Sequence, residues 1–142
     1  MSEFLSLFTR AAKLARGAAD ETMSRHGVRV GQNLLLEALW ATDGMTPGEL
    51  AEQLHLATPT VVKSAARMET SGLVVRRRDT ADRRLVRVYL TEHGRAIKSA
   101  IESARAELEQ RATATLTDSE RRVLLRSLRK IIDQLADVTP MV

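Results

Sequence analysis

Arginine is concentrated in one short stretch of the chain, RRRDTADRRLVRVYL, residues 76–90. The arginines there are Arg76, Arg77, Arg78, Arg83, Arg84 and Arg87. Two aspartates, Asp79 and Asp82, oppose them, so the segment carries +4, which equals the formal net charge of the whole chain. The remaining basic and acidic residues therefore cancel. A neutral protein with one strongly basic arm is typical of a protein that meets a polyanion such as nucleic acid.

The same stretch has the pattern of a β-hairpin. Val86, Val88 and Leu90 alternate with more polar neighbours, a DTAD turn precedes them, and the apolar residues 73–75 supply the other strand. Asp82 and Arg84 are spaced so that the carboxylate can hold one arginine at the tip while another reaches out. A charged hairpin can also simply protect a sheet edge from aggregation, but six arginines exceed that need.

Two helices joined by a tight turn are predicted immediately before the hairpin. Thr46 and Glu49 form a capping box around Pro47, and the helix that they open ends near His55. In the second helix, which runs to about residue 70, Thr58 is expected to be the cap, with Pro59, Thr60 and Lys63 in the first turns.

Residues 50–68 thus have the length and punctuation of a helix-turn-helix, whose second helix enters the DNA major groove with its N-terminal residues foremost. Thr58, Thr60 and Lys63 would approach base edges, and Arg67 would meet phosphates. The basic hairpin after such a helix is a wing. Arg83 and Arg84 at its tip would enter a minor groove of the DNA. Without the wing, a helical hairpin in any α-rich core would explain the pattern equally well.

Longer helices flank this unit. One is predicted over residues 2–25, with a disturbance at Gly17 and a stop at Gly27, and an apolar core helix over residues 31–41. A fifth helix follows a cap at Thr91 and carries a stripe of Ile97, Ile101, Ala104 and Leu108. A capping box at residues 117–120 opens a sixth, whose stripe is Leu124, Leu128, Ile131 and Leu135.

The first, fifth and sixth of these helices have apolar stripes longer than a small winged core can cover. An uncovered stripe predicts a partner helix, and hence a homodimer, unless the helices pack within one chain. A two-fold dimer would present its recognition helices to successive major grooves about 34–36 Å apart on a pseudo-palindromic site.

Composition excludes several classes of protein. The chain has no cysteine, so thiolate metal sites and thiol redox sensing are excluded, and His26, His55 and His93 lack metal-ligand spacing. We therefore expect neither a metal nor another cofactor. Nucleophile-elbow, phosphate-loop, dinucleotide and zinc-protease motifs are absent, so we expect no enzyme. With no signal-peptide pattern at the N-terminus and no long apolar run, we expect a cytoplasmic protein without membrane contact.

With these features the sequence resembles the MarR family of winged helix-turn-helix transcriptional regulators. The resemblance covers nearly the whole chain and is carried by TPTVVKSAARMETSGLVVRR and DTADRRLVRVYLTEHG, above all by the D-x-R element ending at Arg84 and the L-T-x-x-G element ending at Gly94. It implies a homodimer built by the first, fifth and sixth helices, with Arg84 entering the minor groove. The small residues 64–66, SAA, depart from the family pattern of larger aliphatic and acidic residues.

The resemblance also implies a small-molecule effector, often phenolic or anionic, between the two lobes. Candidate residues are Arg10, Arg16, His26 and Trp40, although Trp40 is better suited to a core position and His26 to a helix-end interaction.

Together these observations predict a mainly α protein with a small β-hairpin wing: a winged helix-turn-helix at residues 31–91 between dimerisation helices at residues 1–30 and 92–142. We expect a ligand-responsive repressor that binds double-stranded DNA as a homodimer. The alternative is a winged-helix module for protein–protein contact without an effector. The predicted DNA-binding residues are Thr46, Thr58, Pro59, Thr60, Lys63, Arg67, Arg76, Arg77, Arg78, Arg83 and Arg84.

Overall fold

The computed structural model describes residues 2–29 and 31–136 of the chain. It confirms a mainly α fold with one antiparallel hairpin. In chain order the elements are α1 (Glu3–Ser24), α2 (Gln32–Ala41), α3 (Pro47–Leu54), α4 (Thr58–Thr70), β1 (Val74–Arg78), β2 (Val86–Leu90), α5 (Glu92–Ala96), α6 (Lys98–Ala112) and α7 (Asp118–Ala136). No helix among the described residues has both the length and the apolar character needed to cross a membrane.

Helix α2 lies at the centre of the core, as its apolar circumference predicts. Leu35, Leu36 and Leu39 are fully buried. Around them pack buried residues of the other elements, including Met23, Val28, Leu50, Val61, Met68, Val74, Val88, Leu90 and Ile101. Aliphatic side chains from several elements thus join the helix-turn-helix and the hairpin into one apolar unit, which is the main favourable term in its stability.

Helix α3 begins as its sequence predicts. The Thr46 hydroxyl accepts from the backbone N–H of Glu49 at 3.1 Å, and Pro47 occupies the first turn. The other expected contact of the capping box, from the Glu49 carboxylate back to Thr46, is wrong. That carboxylate lies 3.7 Å from Nη1 of Arg87 instead. At the other end His55 adopts a left-handed conformation with φ of 55°, which turns the chain towards α4.

Helix α4 starts at the predicted cap, one residue earlier than expected. Ala57 is the N-cap, and its carbonyl accepts from the N–H groups of Thr60 at 3.0 Å and Val61 at 3.2 Å. Thr58 is therefore the first helical residue rather than the cap, and Pro59 is the second. Proline is tolerated there because the first N–H groups of a helix have no partner inside the helix.

The hairpin is docked onto the helices. β1 pairs with β2 in a register that runs from Val74 opposite Leu90 to Arg78 opposite Val86. The loop before α3 adds a short bridge, in which Val88 N–H donates to the Met45 carbonyl at 2.8 Å. Val88 and Leu90 are buried, which confirms the predicted inner face of the second strand at these two residues, while Val86 is half-buried.

The single helix expected after Thr91 is wrong in one respect, since it is divided at Ile97 into α5 and α6. The Thr91 cap itself is confirmed, with its hydroxyl accepting from Gly94 N–H at 3.0 Å. The Gly94 carbonyl accepts from the indole Nε1 of Trp40 at 2.9 Å. This contact lies at the carbonyl that Lys98 N–H would meet in an unbroken helix, and Ile97, between α5 and α6, has ψ of −7°.

Helices α1 and α7 leave much of their apolar surface uncovered. α1 runs without a break through Gly17, contrary to the expected disturbance, and packs against α6. α7 packs extensively against no other element of the described residues. Its N-terminal capping box is confirmed, with the two bonds between Thr117 and Glu120 at 2.9 and 3.1 Å. The exposed large apolar side chains of these two helices are Phe4, Leu5, Leu7, Phe8, Leu14, Val123, Leu124, Ile132 and Leu135.

The division into residues 1–30, 31–91 and 92–142 stays a prediction. The outer ranges include Met1, Val30 and residues 137–142, which lie outside the described residues.

The junction of α5 with the hairpin gives a test of the fold. A Cβ atom added at Gly94 would overlap the backbone carbonyl of Leu73. We expect Gly94→Ala to lower the free energy of unfolding by about 1–3 kcal/mol, the usual cost of overpacking. Urea denaturation followed by circular dichroism measures it.

Gly17→Ala is the matched control, because it adds the same methyl group where nothing lies within 4 Å. Inside a helix this change should raise stability by about 0.5–1 kcal/mol. Equal stability of the two variants would show that the packing at Gly94 is not as close as described.

Candidate nucleic-acid interface

Helix α4 presents one face to the core and the other outward. Val61, Ala65 and Met68 are fully buried and fix the rotation of the helix. Residues predicted to contact DNA are exposed on the remaining surface: Thr58, Pro59, Thr60, Lys63 and Arg67. The structure thus brings hydroxyls and cations together on the outer side of the helix, where a groove of DNA can reach them.

Val62 belongs to this exposed surface and was missed from the sequence. Its side chain is 41% exposed, whereas Val61 and Ala65 on the inner face of α4 are buried. The adjacent pair Val61–Val62 hides the signal, because periodicity alone does not say which of two consecutive valines faces outward.

The base of the wing is bonded directly to α4. Glu69 Oε2 accepts from the backbone N–H of Arg76 at 3.0 Å, and Oε1 accepts from its Nε at 3.0 Å. These two bonds, the backbone bond first, lower the pKa of Glu69 below its ordinary value. Glu69 therefore supplies the charge pairing to the wing that the small residues 64–66 cannot make.

The turn of the wing is built on two aspartates. Asp79 Oδ2 accepts from the N–H groups of Ala81 at 3.0 Å and Asp82 at 2.7 Å. Asp82 in turn accepts from Nε and Nη2 of Arg84, both at 3.0 Å, and from its backbone N–H at 3.1 Å. These bonds from Arg84 lower the pKa of Asp82 and raise that of Arg84. The Arg84 side chain is held yet 89% exposed, so it is aimed outward without being buried.

The remaining wing arginines differ in their partners. Arg78 Nη1 donates to the Arg83 carbonyl at 2.9 Å, which ties the end of β1 to the loop before β2. Arg77 and Arg83 are exposed, and neither takes part in a side-chain ion pair within residues 2–29 and 31–136. Of the three consecutive arginines of β1, Arg76 and Arg78 are therefore bonded within the fold, and Arg77 is exposed without a side-chain ion pair among the described residues.

Arg87 is the most highly connected arginine of the wing, and it was absent from the predicted site. Its Nε donates to Asp79 Oδ1 at 2.7 Å and its Nη1 donates to the Gly44 carbonyl at 2.9 Å. The bond from Arg87, followed by the bond from Asp82 N–H, lowers the pKa of Asp79. The contact with Gly44 joins residues 43 positions apart, so no local pattern could have revealed it.

Thr46 does not belong to the outer surface. It is buried, and its hydroxyl is engaged as the cap of α3. The prediction that Thr46 contacts DNA is therefore wrong, because a capping side chain at this depth supports the helix-turn-helix from within.

The four effector candidates lie at separate places. Arg16 lines a shallow depression of about 380 Å³ along α1, where Arg10 is also exposed. Trp40 is partly buried against the core and bonded to Gly94, and His26 is half-buried in the turn after α1. The depression along α1 includes Arg16 alone of the four, and Trp40 lines a different depression with Glu37 and Lys98.

The histidines likewise form no metal centre in the part of the chain that the structure describes. No group of three or more His, Cys, Asp or Glu side chains there could hold a metal ion.

The pairing of Glu69 with Arg76 gives a pH-dependent test. Because the pKa of Glu69 is lowered in the folded protein, its contribution to stability is present above the ordinary pKa and is lost as the pH falls through the folded value. We expect the free energy of unfolding of the wild type to fall more steeply than that of Glu69→Gln from about pH 5 to about pH 3. The difference should be small and should shrink in high salt, since the pair is partly exposed.

Glu107→Gln, at an exposed carboxylate on α6, is the matched control. Chemical denaturation at each pH measures all three proteins. Identical curves for the two variants would contradict a special contribution from Glu69.

Comparison with known proteins identifies related regulators. The model of the MarR family matches residues 30–86. The HTH-type transcriptional regulator TtmR of Methylorubrum extorquens (strain PA1) is 33% identical over 126 residues, which are 88% of this chain and 64% of that protein. This chain thus spans somewhat less than two thirds of that relative. The uncharacterized HTH-type transcriptional regulator YsmB of Bacillus subtilis (strain 168) is 30% identical, over 84% of this chain and 82% of the relative.

Solved structures agree with these relatives. The crystal structure of a mutant MarR from E. coli in complex with operator DNA superposes with a TM-score of 0.81 at 25% identity, covering 89% of this chain and 91% of that one. The family is one of transcription regulators rather than enzymes. The predicted resemblance is therefore confirmed: with its winged helix-turn-helix and its matching relatives, this chain belongs to the MarR family of transcriptional regulators.

Proposed function

We propose that this protein binds a pseudo-palindromic operator in double-stranded DNA as a homodimer and represses transcription from it. One observation carries the proposal: Glu69 bonds the wing to α4 through Arg76, so the basic tip and the exposed helix form one unit. A rigid unit of this kind can fill a major groove and reach the neighbouring backbone together, as winged helices do. A protein–protein module would have no need of a strongly basic wing.

In the major groove the outer surface of α4 would read the bases. Thr58 and Thr60 offer hydroxyls that donate or accept, and Lys63 offers a cation one turn later. The exposed Val62 is suited to the methyl group of thymine, the apolar feature of that groove. Arg67 lies further along the helix, where a phosphate contact would set its orientation.

In the minor groove or along the backbone the wing would supply the charge. Arg84, held by Asp82 and almost fully exposed, is the proposed groove-entering residue. Arg83 and Arg77 would meet phosphates. Arg76 and Arg78 already have partners in the fold, so they would attract the DNA by their positive charge without contacting it directly.

The homodimer is supported by the exposed apolar surfaces of α1 and α7. Phe4 and Phe8 stack with ring centroids 5.6 Å apart, yet are 50% and 41% exposed. Ile132 and Leu135 on α7 are 63% and 51% exposed. Apolar patches of this extent on the first and last helices of the fold mark an interaction surface, and a second copy would cover both while pairing the recognition helices.

Repression follows from occupancy, because a dimer seated across successive major grooves excludes other proteins from that DNA. A small-molecule effector would release it, with Arg10, Arg16, His26 and Trp40 as the candidate contacts once two chains come together. The cytoplasm is the proposed compartment, because the matching regulators of Methylorubrum extorquens and Bacillus subtilis are bacterial and bacterial DNA lies in the cytoplasm.

Selection of bound duplexes from random-sequence DNA tests DNA recognition. We expect a palindromic consensus with half-sites about one helical turn apart. On that operator, Arg84→Ala should weaken binding by about 1–3 kcal/mol and make the dependence of the binding constant on salt shallower. Fluorescence anisotropy at several salt concentrations measures both.

Arg111→Ala removes the same charge from the last turn of α6 and serves as the control. It should leave the affinity close to that of the wild type. Recovery of no consensus from the selection would contradict the DNA-binding function, and equal affinities for the two variants would contradict the role of Arg84.

The dimer is tested by placing a charge in the exposed apolar surface of α7. We expect Ile132→Glu to yield monomers at micromolar concentration in sedimentation velocity, because the buried carboxylate would lack a partner. The affinity for the operator should fall as well, since a monomer contacts only one of the two half-sites.

Arg126→Glu adds the same carboxylate on the polar side of α7 and should remain dimeric. A wild-type protein that sediments only as a monomer would contradict the homodimer. A dimeric Ile132→Glu variant would instead place the interface elsewhere.

A further inference from the structure

Arg87 joins three parts of the fold that are separate in sequence. From β2 its guanidinium bonds Asp79 at the start of the wing turn and the Gly44 carbonyl in the loop before α3, and it lies 3.7 Å from Glu49 on α3. Its side chain is 28% exposed and that of Asp79 is 17% exposed. A partly buried arginine with two bonded partners and a second carboxylate nearby is held in one geometry.

A continuous series of bonds leads from this residue to the tip of the wing. The Asp79 carboxylate that accepts from Arg87 also accepts from the backbone of Asp82. The Asp82 carboxylate then holds the Arg84 guanidinium through two bonds of 3.0 Å. Asp82 therefore orients Arg84, and Asp79 orients Asp82. Asp79 is in turn held by Arg87, which is bonded to the loop before α3.

This support matters because a two-stranded hairpin is at best marginally stable by itself. The inner strand residues dock the base of the wing, but the turn extends beyond them into solvent, with Ala81, Arg83 and Leu85 exposed. Without an anchor the tip would sample many orientations, and DNA binding would have to select one of them at an entropic cost.

We propose that Arg87 is a positioning residue of the wing, which sets the orientation of Arg84 for DNA through Asp79 and Asp82. In this proposal Arg87 acts through Asp79 and not through a DNA contact of its own, because its Nε and Nη1 are directed at Asp79 and Gly44. This role rests on the proposed DNA-binding function. It identifies Arg87 as the residue that determines the orientation of the wing tip.

A double-mutant cycle on the selected operator tests the role of Arg87. Arg84→Ala and Arg87→Ala should each weaken binding about tenfold, and the double variant should be no weaker than Arg84→Ala alone by more than about twofold, since residues acting through one another are not additive. Independent contacts would multiply to about a hundredfold loss. That additive result would overturn the proposal.

Two further variants separate positioning from loss of the fold. Asp79→Asn should reproduce Arg87→Ala, because it weakens the next bond in the series. Arg87→Lys should recover little affinity, since a lysine ammonium cannot reproduce the planar fork that bonds Asp79 and Gly44 together. Full recovery with lysine would show that charge at this position, and not the bonded geometry, sustains binding.

Amide hydrogen exchange gives a readout that needs no DNA. In Arg87→Ala we expect faster exchange at Ala81, Asp82 and Arg84, with the protection of Leu35 and Leu39 in α2 unchanged. Unchanged exchange at the turn would contradict the proposal even where DNA affinity falls. If the wild type fails to bind DNA while the turn still loosens in the variant, DNA binding is wrong and the positioning of the turn by Arg87 stands.

Discussion

The neutralisation of the wing's arginines by carboxylates is the interaction on which the arrangement of this protein depends. Each of three carboxylates serves one arginine: Glu69 bonds Arg76, Asp82 bonds Arg84 and Asp79 bonds Arg87. All three pairs are at least partly exposed, so none contributes much to the free energy of folding. Their effect is on geometry, since bonds of 2.7–3.0 Å to a guanidinium specify its direction.

This arrangement resolves the conflict between a dense cluster of like charges and a compact fold. The arginines that the fold engages lie at the base and on the strands, while Arg77 and Arg83 face solvent and Arg84 is held in an exposed position. The protein thus keeps its net positive charge where a polyanion can approach, and the rest of the chain, being neutral, does not compete for it.

Local patterns in the sequence predicted most of the elements because capping and alternation are local. The threonine caps at Thr46 and Thr91 and the box at residues 117–120 mark helix starts that the structure confirms. The misses have tertiary causes. Trp40 meets Gly94 from 54 residues away, where the expected single helix is divided, and the Gly44–Arg87 bond spans 43 residues. The displaced start of α4 is a local miss, since Ala57 has no side-chain oxygen to signal a cap.

The small residues 64–66 of α4 show how a departure from a family pattern can be compensated within the same helix. Ala65 is fully buried, so a small side chain at this point lets α4 lie close against the core. A larger aliphatic residue would move the helix outward, and the exposed row of Thr58, Thr60 and Lys63 with it. The charge pairing that the departure placed in doubt is made by Glu69, near the end of the helix, where its carboxylate meets the backbone and side chain of Arg76 together. Because the bond to the backbone fixes the strand as well as the side chain, Glu69 adds a polar anchor for β1 to the apolar packing and the Met45–Val88 bridge that already dock the wing.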